Sequence, residues 1–153
     1  MSVKQKIKFY AVPVSTYCAR VRIILRLKSI DFEELLPPGG NYNTTEYRRL
    51  IPAGSVPAIE IGGFRLHDSA AIAEFLDEQY PDPAMWPQNV QKRAVLRSIA
   101  HFHDTRLEPA LRVLFPMVGQ SPESPEKITS AINHIVECLK RLDSLVEPSP
   151  YLG

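Results

Sequence analysis

The 153-residue chain is 44% hydrophobic, enough to bury a core in one domain or two small ones. Its formal charge of +1 supplies no net field toward nucleic acid or an anionic membrane. The polar opening, residues 1–8, has no apolar signal core, and no apolar run reaches the roughly 18 residues needed to span a bilayer. Two cysteines 120 positions apart, Cys18 and Cys138, make no disulfide framework, so free thiols in a reducing, cytoplasmic setting are expected.

Residues 6–12, "KIKFYAV", read as a strand stopped by Pro13. Ser15 can cap a helix with Tyr17, Val21, Ile24, Leu25 and Lys28 on one face. Arg20, Arg22, Arg26 and Lys28 scatter around that helix and read as a solvated face rather than a nucleic-acid stripe. Residues 32–36 are a weak second strand ended by "PPGG", and Thr44 or Thr45 starts a short helix through Leu50. Residues 56–61 and 64–66 flank Gly62-Gly63, a two-residue turn favouring an antiparallel hairpin. Asp68 or Ser69 then caps a helix carrying Ile72, Phe75, Leu76 and Gln79. After Tyr80, "YPDPAMWP" reads as a stiff linker, with Met85-Trp86 expected to plug the domain junction. Two long helical patterns follow, from Asn89 to about Val118 and from Glu123 to about Val146. Pro109 and Pro116 are expected to bend or divide the first. His101 and His103, two apart on a helix, face away from each other and cannot chelate one metal. Cys138, between Ile135 and Leu139, reads as core.

Three stretches carry chemistry. A proline opening a strand, as in Val56-Pro57, tolerates a cis bond, which costs X-Pro only about 0.5–1 kcal/mol. The cis form would turn the Val56 N–H and C=O outward as an edge for a peptide-like ligand; a trans proline starting an edge strand is the alternative. Asp68 and Ser69 stand at a helix N-terminus, where a carboxylate could rest on the Ser69 hydroxyl and amide, leaving Asp68 for an ammonium. An ordinary N-cap is the alternative there. The segment "VSTYCARVR" has the look of a C-x-x-C thiol motif with Ser15 in place of the first cysteine. A helix N-terminus is worth roughly 0.3–1 kcal/mol to an anion, and a hydrogen bond to a charged group about 1.5–3 kcal/mol. Together these lower a bound thiol's pKa from near 8.5 by about one to three pH units. The serine would attack nothing. It would hold a borrowed sulfur as thiolate, with the Tyr17 hydroxyl as a competitor for that role.

Taken together, these motifs resemble the glutathione transferase superfamily. The pieces are "STYCARVRIILRLKSIDFEE", "GSVPAIEIGG" and "LHDSAAIAEFLDEQYPDPAMWP", with "QKRAVLRSIAHFHDTRLEPAL" continuing the likeness, over about residues 6–147. The resemblance implies an α/β thioredoxin-like N-terminal domain with a mixed four-stranded sheet over residues 1–80. A linker at 81–88 and an incomplete all-α domain over 89–153 would follow. It implies that Ser15 contacts the glutathione sulfur, and that Val56, before a cis Pro57, pairs with the cysteinyl unit. Asp68 and Ser69 would grip the γ-glutamyl group, and Asn41 or Tyr42 would lie near the glycine end. Further helices would follow Gly153, so the apolar stripes of residues 89–146 should be partly uncovered in an isolated protomer.

The expected function is that of a glutathione transferase, a cytoplasmic homodimer with glutathione as co-substrate, no metal, and a hydrophobic small-molecule electrophile. A non-catalytic binding module, or an oxidoreductase or dehalogenase acting through Cys18, are the alternatives. The first turn departs from the S-P-Y-C pattern at Thr16. The serine-serine-cysteine of zeta-like maleylacetoacetate isomerases is Ser15-Thr16-Tyr17 here, which weighs against an isomerase.

Overall fold

A computed structural model describes residues 6–117 and 125–146. They fall into two compact units, Met1–Met85 and Trp86–Gly153.

In β1 (Ile7–Tyr10), Ile7 and Phe9 point to one face of the first unit's sheet and Tyr10 to the other; all three are buried. The chain then crosses through α1 (Thr16–Leu27) to β2 (Phe32–Leu35), which lies parallel to β1 with Ile7 opposite Phe32. After a 3₁₀ turn at Pro38–Gly40, α2 (Thr45–Leu50) starts at its Thr44 cap. β3 (Ala58–Ile61) runs antiparallel to β1, and β4 (Phe64–His67) antiparallel to β3. Gly62 and Gly63 close that hairpin at φ of 55° and 87°, positive values that a two-residue turn of the favoured twist demands of both central residues. The sheet order is β2-β1-β3-β4, and α3 (Ser69–Gln79) follows β4. This is the expected order and the mixed four-stranded sheet of a thioredoxin-like domain.

Core formation follows from which face each helix covers. Cys18, Val21 and Leu25 of α1 and Ile72 and Leu76 of α3 bury against Ile7, Phe9 and Ile59. Cys18 thus takes the inward position that periodicity assigned to Tyr17, which is only half-buried. On the opposite face Tyr47 and Ile51 cover Tyr10 and Ala58.

The solvated-face reading of the α1 charges is corrected. Lys28 is buried: its ammonium lies 2.6 Å from Asp77 Oδ1 and donates to the carbonyls of Tyr80 and Pro83 at 2.7 and 2.6 Å. An ammonium has three donors, and all three are satisfied here, which makes its burial tolerable. Asp77 Oδ1 also accepts from the Met85 N–H at 2.8 Å. The cluster thereby ties the end of α1 to the chain leaving α3. Arg22 forms a two-pronged pair with Glu34 on β2, and of the four only Arg26 is exposed, Arg20 and Arg22 being half-buried.

In the second unit Asn89 caps α4 (Val90–Phe102), its side chain accepting from the Lys92 N–H at 2.9 Å. Pro109 alters the helix without ending it. Having no N–H to donate to Thr105, it is preceded by a wide π turn at His103–Leu107, in which the Glu108 N–H reaches back to the His103 carbonyl. Helix continues as α5 (Glu108–Arg112), and a 3₁₀ turn at Phe115–Met117 contains Pro116. The second long pattern forms α6 (Pro125–Asp143); its expected start at Glu123 lies outside the described residues. Leu107, Ala110 and Cys138 are the buried centre, and Glu108, also buried, accepts from Arg112 Nε at 2.6 Å. Cys138 is core, as read from sequence. Val90, Val95, Val113, Ile132, Val136 and Leu139 are each at least 40% exposed, so apolar surface of this unit is uncovered in the single chain as expected.

Candidate functional site

One row of residues organises the site. Leu35, Tyr10, Ala58 and His67 lie side by side across β2, β1, β3 and β4. β3 runs opposite to the other three strands. The segment after β1, the segment before β3 and the segment after β4 therefore all meet this one end of the sheet. Ser15, Val56-Pro57 and Asp68-Ser69 occupy those segments, and Asn41 follows β2 at the same end. The carboxyl ends of parallel strands are where open α/β sheets place their ligands.

Ser15 caps α1 from extended backbone, φ −82° and ψ 121°, and its Oγ accepts from the Cys18 N–H at 3.2 Å. The hydroxyl proton is not used by the cap. A donor beside the positive end of a helix dipole suits an anion. Cys18, three residues on, has no exposed surface. A thiol without access to solvent or substrate is a packing residue rather than a redox one.

The Val56-Pro57 bond is cis. Register pairing of β3 begins at Ala58, so Val56 stands just beyond the ladder, packed against both core clusters. Asp68 adopts φ 75° and ψ 123°, a positive φ that costs a non-glycine residue of order 1–3 kcal/mol and is commonest at functional sites. Its Oδ1 takes both cap bonds, from the N–H groups of Ala70 at 2.9 Å and Ala71 at 3.1 Å, so Oδ2 is not needed by the cap.

Arg20 is the residue that sequence reasoning missed. Its Nη1 donates to the Ser69 hydroxyl at 3.0 Å, and its guanidinium carbon lies 5.7 Å from the centre of the Tyr17 ring. Ser69 is buried, accepts that bond, and keeps its own proton to donate. A guanidinium, a hydroxyl and a helix N-terminus thus converge on one point, which favours a carboxylate. Nothing in the spacing of Arg20 signals this, because the link is made to a helix 49 positions away.

Asn41 is placed less tightly. Its side chain accepts from the Asn43 N–H at 2.8 Å in a local turn, and both Asn41 and Tyr42 are exposed. Among the described residues no group of three or more His, Cys, Asp or Glu could hold a metal ion. No helix among them is long and apolar enough to cross a membrane.

A thioredoxin-like sheet with a capping serine after β1, a Val-Pro before β3 and an Asp-Ser after β4 defines a class, and the comparisons agree with it. Residues 9–84 match the family described as glutathione S-transferase, N-terminal domain, and the chain belongs to the glutathione transferase superfamily. It is 36% identical over 129 residues to maleylacetoacetate isomerase of Rattus norvegicus, covering 79% of this chain and 60% of that protein. It is 32% identical over 148 residues to glutathione S-transferase 1 of Dianthus caryophyllus, covering 94% of this chain and 66% of that one. Among solved structures, the theta class glutathione S-transferase of Xanthomonas axonopodis pv. citri with glutathione bound superposes with a TM-score of 0.83 at 25% identity. That match covers 97% of this chain and 73% of the other. The chain thus spans about two thirds or less of the length of these curated relatives. Isomerases stand among the relatives although the Ser15-Thr16-Tyr17 turn departs from their pattern.

Proposed function

We propose that this chain is a glutathione transferase that binds glutathione across the sheet end and keeps its sulfur as thiolate through Ser15. The row Leu35–Tyr10–Ala58–His67 carries the reading, because it gathers three chemically different grips at the spacing of neighbouring strands. The Ser15 proton would be donated to the sulfur, with the α1 dipole adding to it. The Val56 backbone, just beyond the ladder, would pair with the cysteinyl unit as an added strand. Ser69, its amide and Arg20 would receive the γ-glutamyl carboxylate, and Asp68 Oδ2 the ammonium. Asn41 would sit toward the glycine end.

Catalysis on this reading is activation of the nucleophile plus proximity, with no covalent enzyme intermediate. The electrophile would be a hydrophobic small molecule. Residues 1–80 would be the glutathione-binding domain, 81–88 the linker and 89–153 a partial all-helical domain. A cytoplasmic homodimer, the usual setting of the superfamily, belongs to the same proposal. The buried position of Cys18 speaks against the oxidoreductase and dehalogenase alternatives.

The test is the ultraviolet absorbance of the thiolate, titrated for glutathione bound to wild type and to Ser15→Ala. An apparent thiol pKa below that of free glutathione on wild type, rising by about one to two pH units in the variant, is expected. Equal values in the two proteins reject the role given to Ser15.

A further inference from the structure

Tyr47 has a hydroxyl that packing does not require. The residue lies in α2, has no exposed surface, and sets its ring edge-on to Tyr10, with centroids 5.8 Å apart and planes at 64°. A phenylalanine would fill the same volume and keep that contact. The hydroxyl donates instead to the Ser55 carbonyl at 2.9 Å. Burial pushes this phenol well above its ordinary range, so it remains a donor at any working pH.

Val56 is bracketed by this arrangement. On one side Ser55 hangs from the Tyr47 phenol; on the other Ala58 is paired with Tyr10, the residue the Tyr47 ring rests on. The preceding turn is closed by the Gly54 N–H donating to the Ile51 carbonyl at 2.8 Å, with Ile51 buried beside Tyr47. One side chain therefore fixes both the strand and the loop between which Val56 is strung.

We propose that Tyr47 is a positioning residue for the cysteinyl subsite, its phenol holding the Ser55 carbonyl and with it the Val56 backbone edge. This rests on the glutathione reading above. A ligand that pairs with a preset edge is spared the ordering of that edge.

The experiment uses Tyr47→Phe and S-methylglutathione, a ligand with no thiol to ionise. Calorimetry on the variant is expected to give binding about three- to tenfold weaker than wild type, the worth of one neutral hydrogen bond. Amide exchange of residues 53–55 should quicken in the variant. The apparent thiol pKa of bound glutathione should stay at its wild-type value, because Ser15 is untouched. A general loosening of the fold would move that pKa together with the affinity and overturn the proposal. So would variant affinity within about twofold of wild type. Wild type failing to bind S-methylglutathione rejects the glutathione reading, and this inference with it. Should Tyr47→Phe not fold, exchange in wild type decides: amides of residues 53–55 already protected without ligand support the inference, and protection of those amides that arises only with ligand overturns it.

Discussion

Arg20 and Ser69 are joined by a 3.0 Å hydrogen bond from guanidinium to hydroxyl, linking the second turn of one helix to the first residue of another. The bond leaves Ser69 polarised, with its acceptor side occupied by a cation and its proton directed elsewhere. Removing the guanidinium should therefore weaken the grip on a carboxylate. Arg20→Met is expected to lose about 1–2 kcal/mol of glutathione binding, roughly five- to thirtyfold, by calorimetry. A glutathione amidated at its γ-glutamyl α-carboxylate should show little difference between wild type and variant. An equal loss for both ligands would mean that Arg20 acts elsewhere.

Ser15 has two duties that substitution can separate. Ser15→Ala removes cap and donor together, with a stability loss of about 1 kcal/mol on thermal unfolding. Ser15→Asp keeps a good cap but sets a negative charge where the sulfur would lie. Its melting temperature should match wild type, while the bound thiol's pKa should rise above that in Ser15→Ala. If the aspartate variant binds thiolate as wild type does, the sulfur lies away from position 15.

The Lys28 ammonium is enclosed by one carboxylate and two carbonyls. Lys28→Met leaves Asp77 facing those carbonyls without its cation, and should destabilise the first unit by about 3–5 kcal/mol in denaturant titration. Adding Asp77→Asn should recover part of the loss, so that the double variant falls short of the sum. Simple additivity would mean the pair contributes nothing as a pair.

Glu60 accepts from Arg65 Nε at 2.7 Å and from Lys8 Nζ at 3.0 Å, and these bonds hold its carboxyl below the usual carboxylate range. Its folded pKa is below its unfolded value of about 4.3, so its contribution is full above that pH and lost as pH falls through the folded value. Glu60→Gln is expected to be less stable at neutral pH and to show a shallower loss as pH falls below about 4.3. Parallel acid unfolding curves for the two proteins would remove Glu60 from the account.

The element order was legible because its punctuation is local. Gly62-Gly63 can hardly be other than a tight turn, and Ser15, Thr44, Asp68 and Asn89 all cap the helices their side chains suggest. The three strand-end motifs were legible for the same reason. What escaped was nonlocal. Arg20 and Lys28 look like surface charges on a helical wheel, and their partners lie about 50 positions away. The exchange of Cys18 for Tyr17 at the core has a steric cause: the position faces closely packed Ile7, Phe9 and Ile59, where a small apolar side chain fits. The π turn ahead of Pro109 preserved a helix that a proline rule would divide.

The burial of both thiols has a practical side. Cys18 is fully enclosed and Cys138 is 6% exposed, so alkylating reagents should find no native thiol on the folded surface. A cysteine placed at Val14, which is 80% exposed and adjoins Ser15, would then be the single reactive handle. A fluorophore attached there could report tripeptide arrival in real time, with neither natural cysteine replaced.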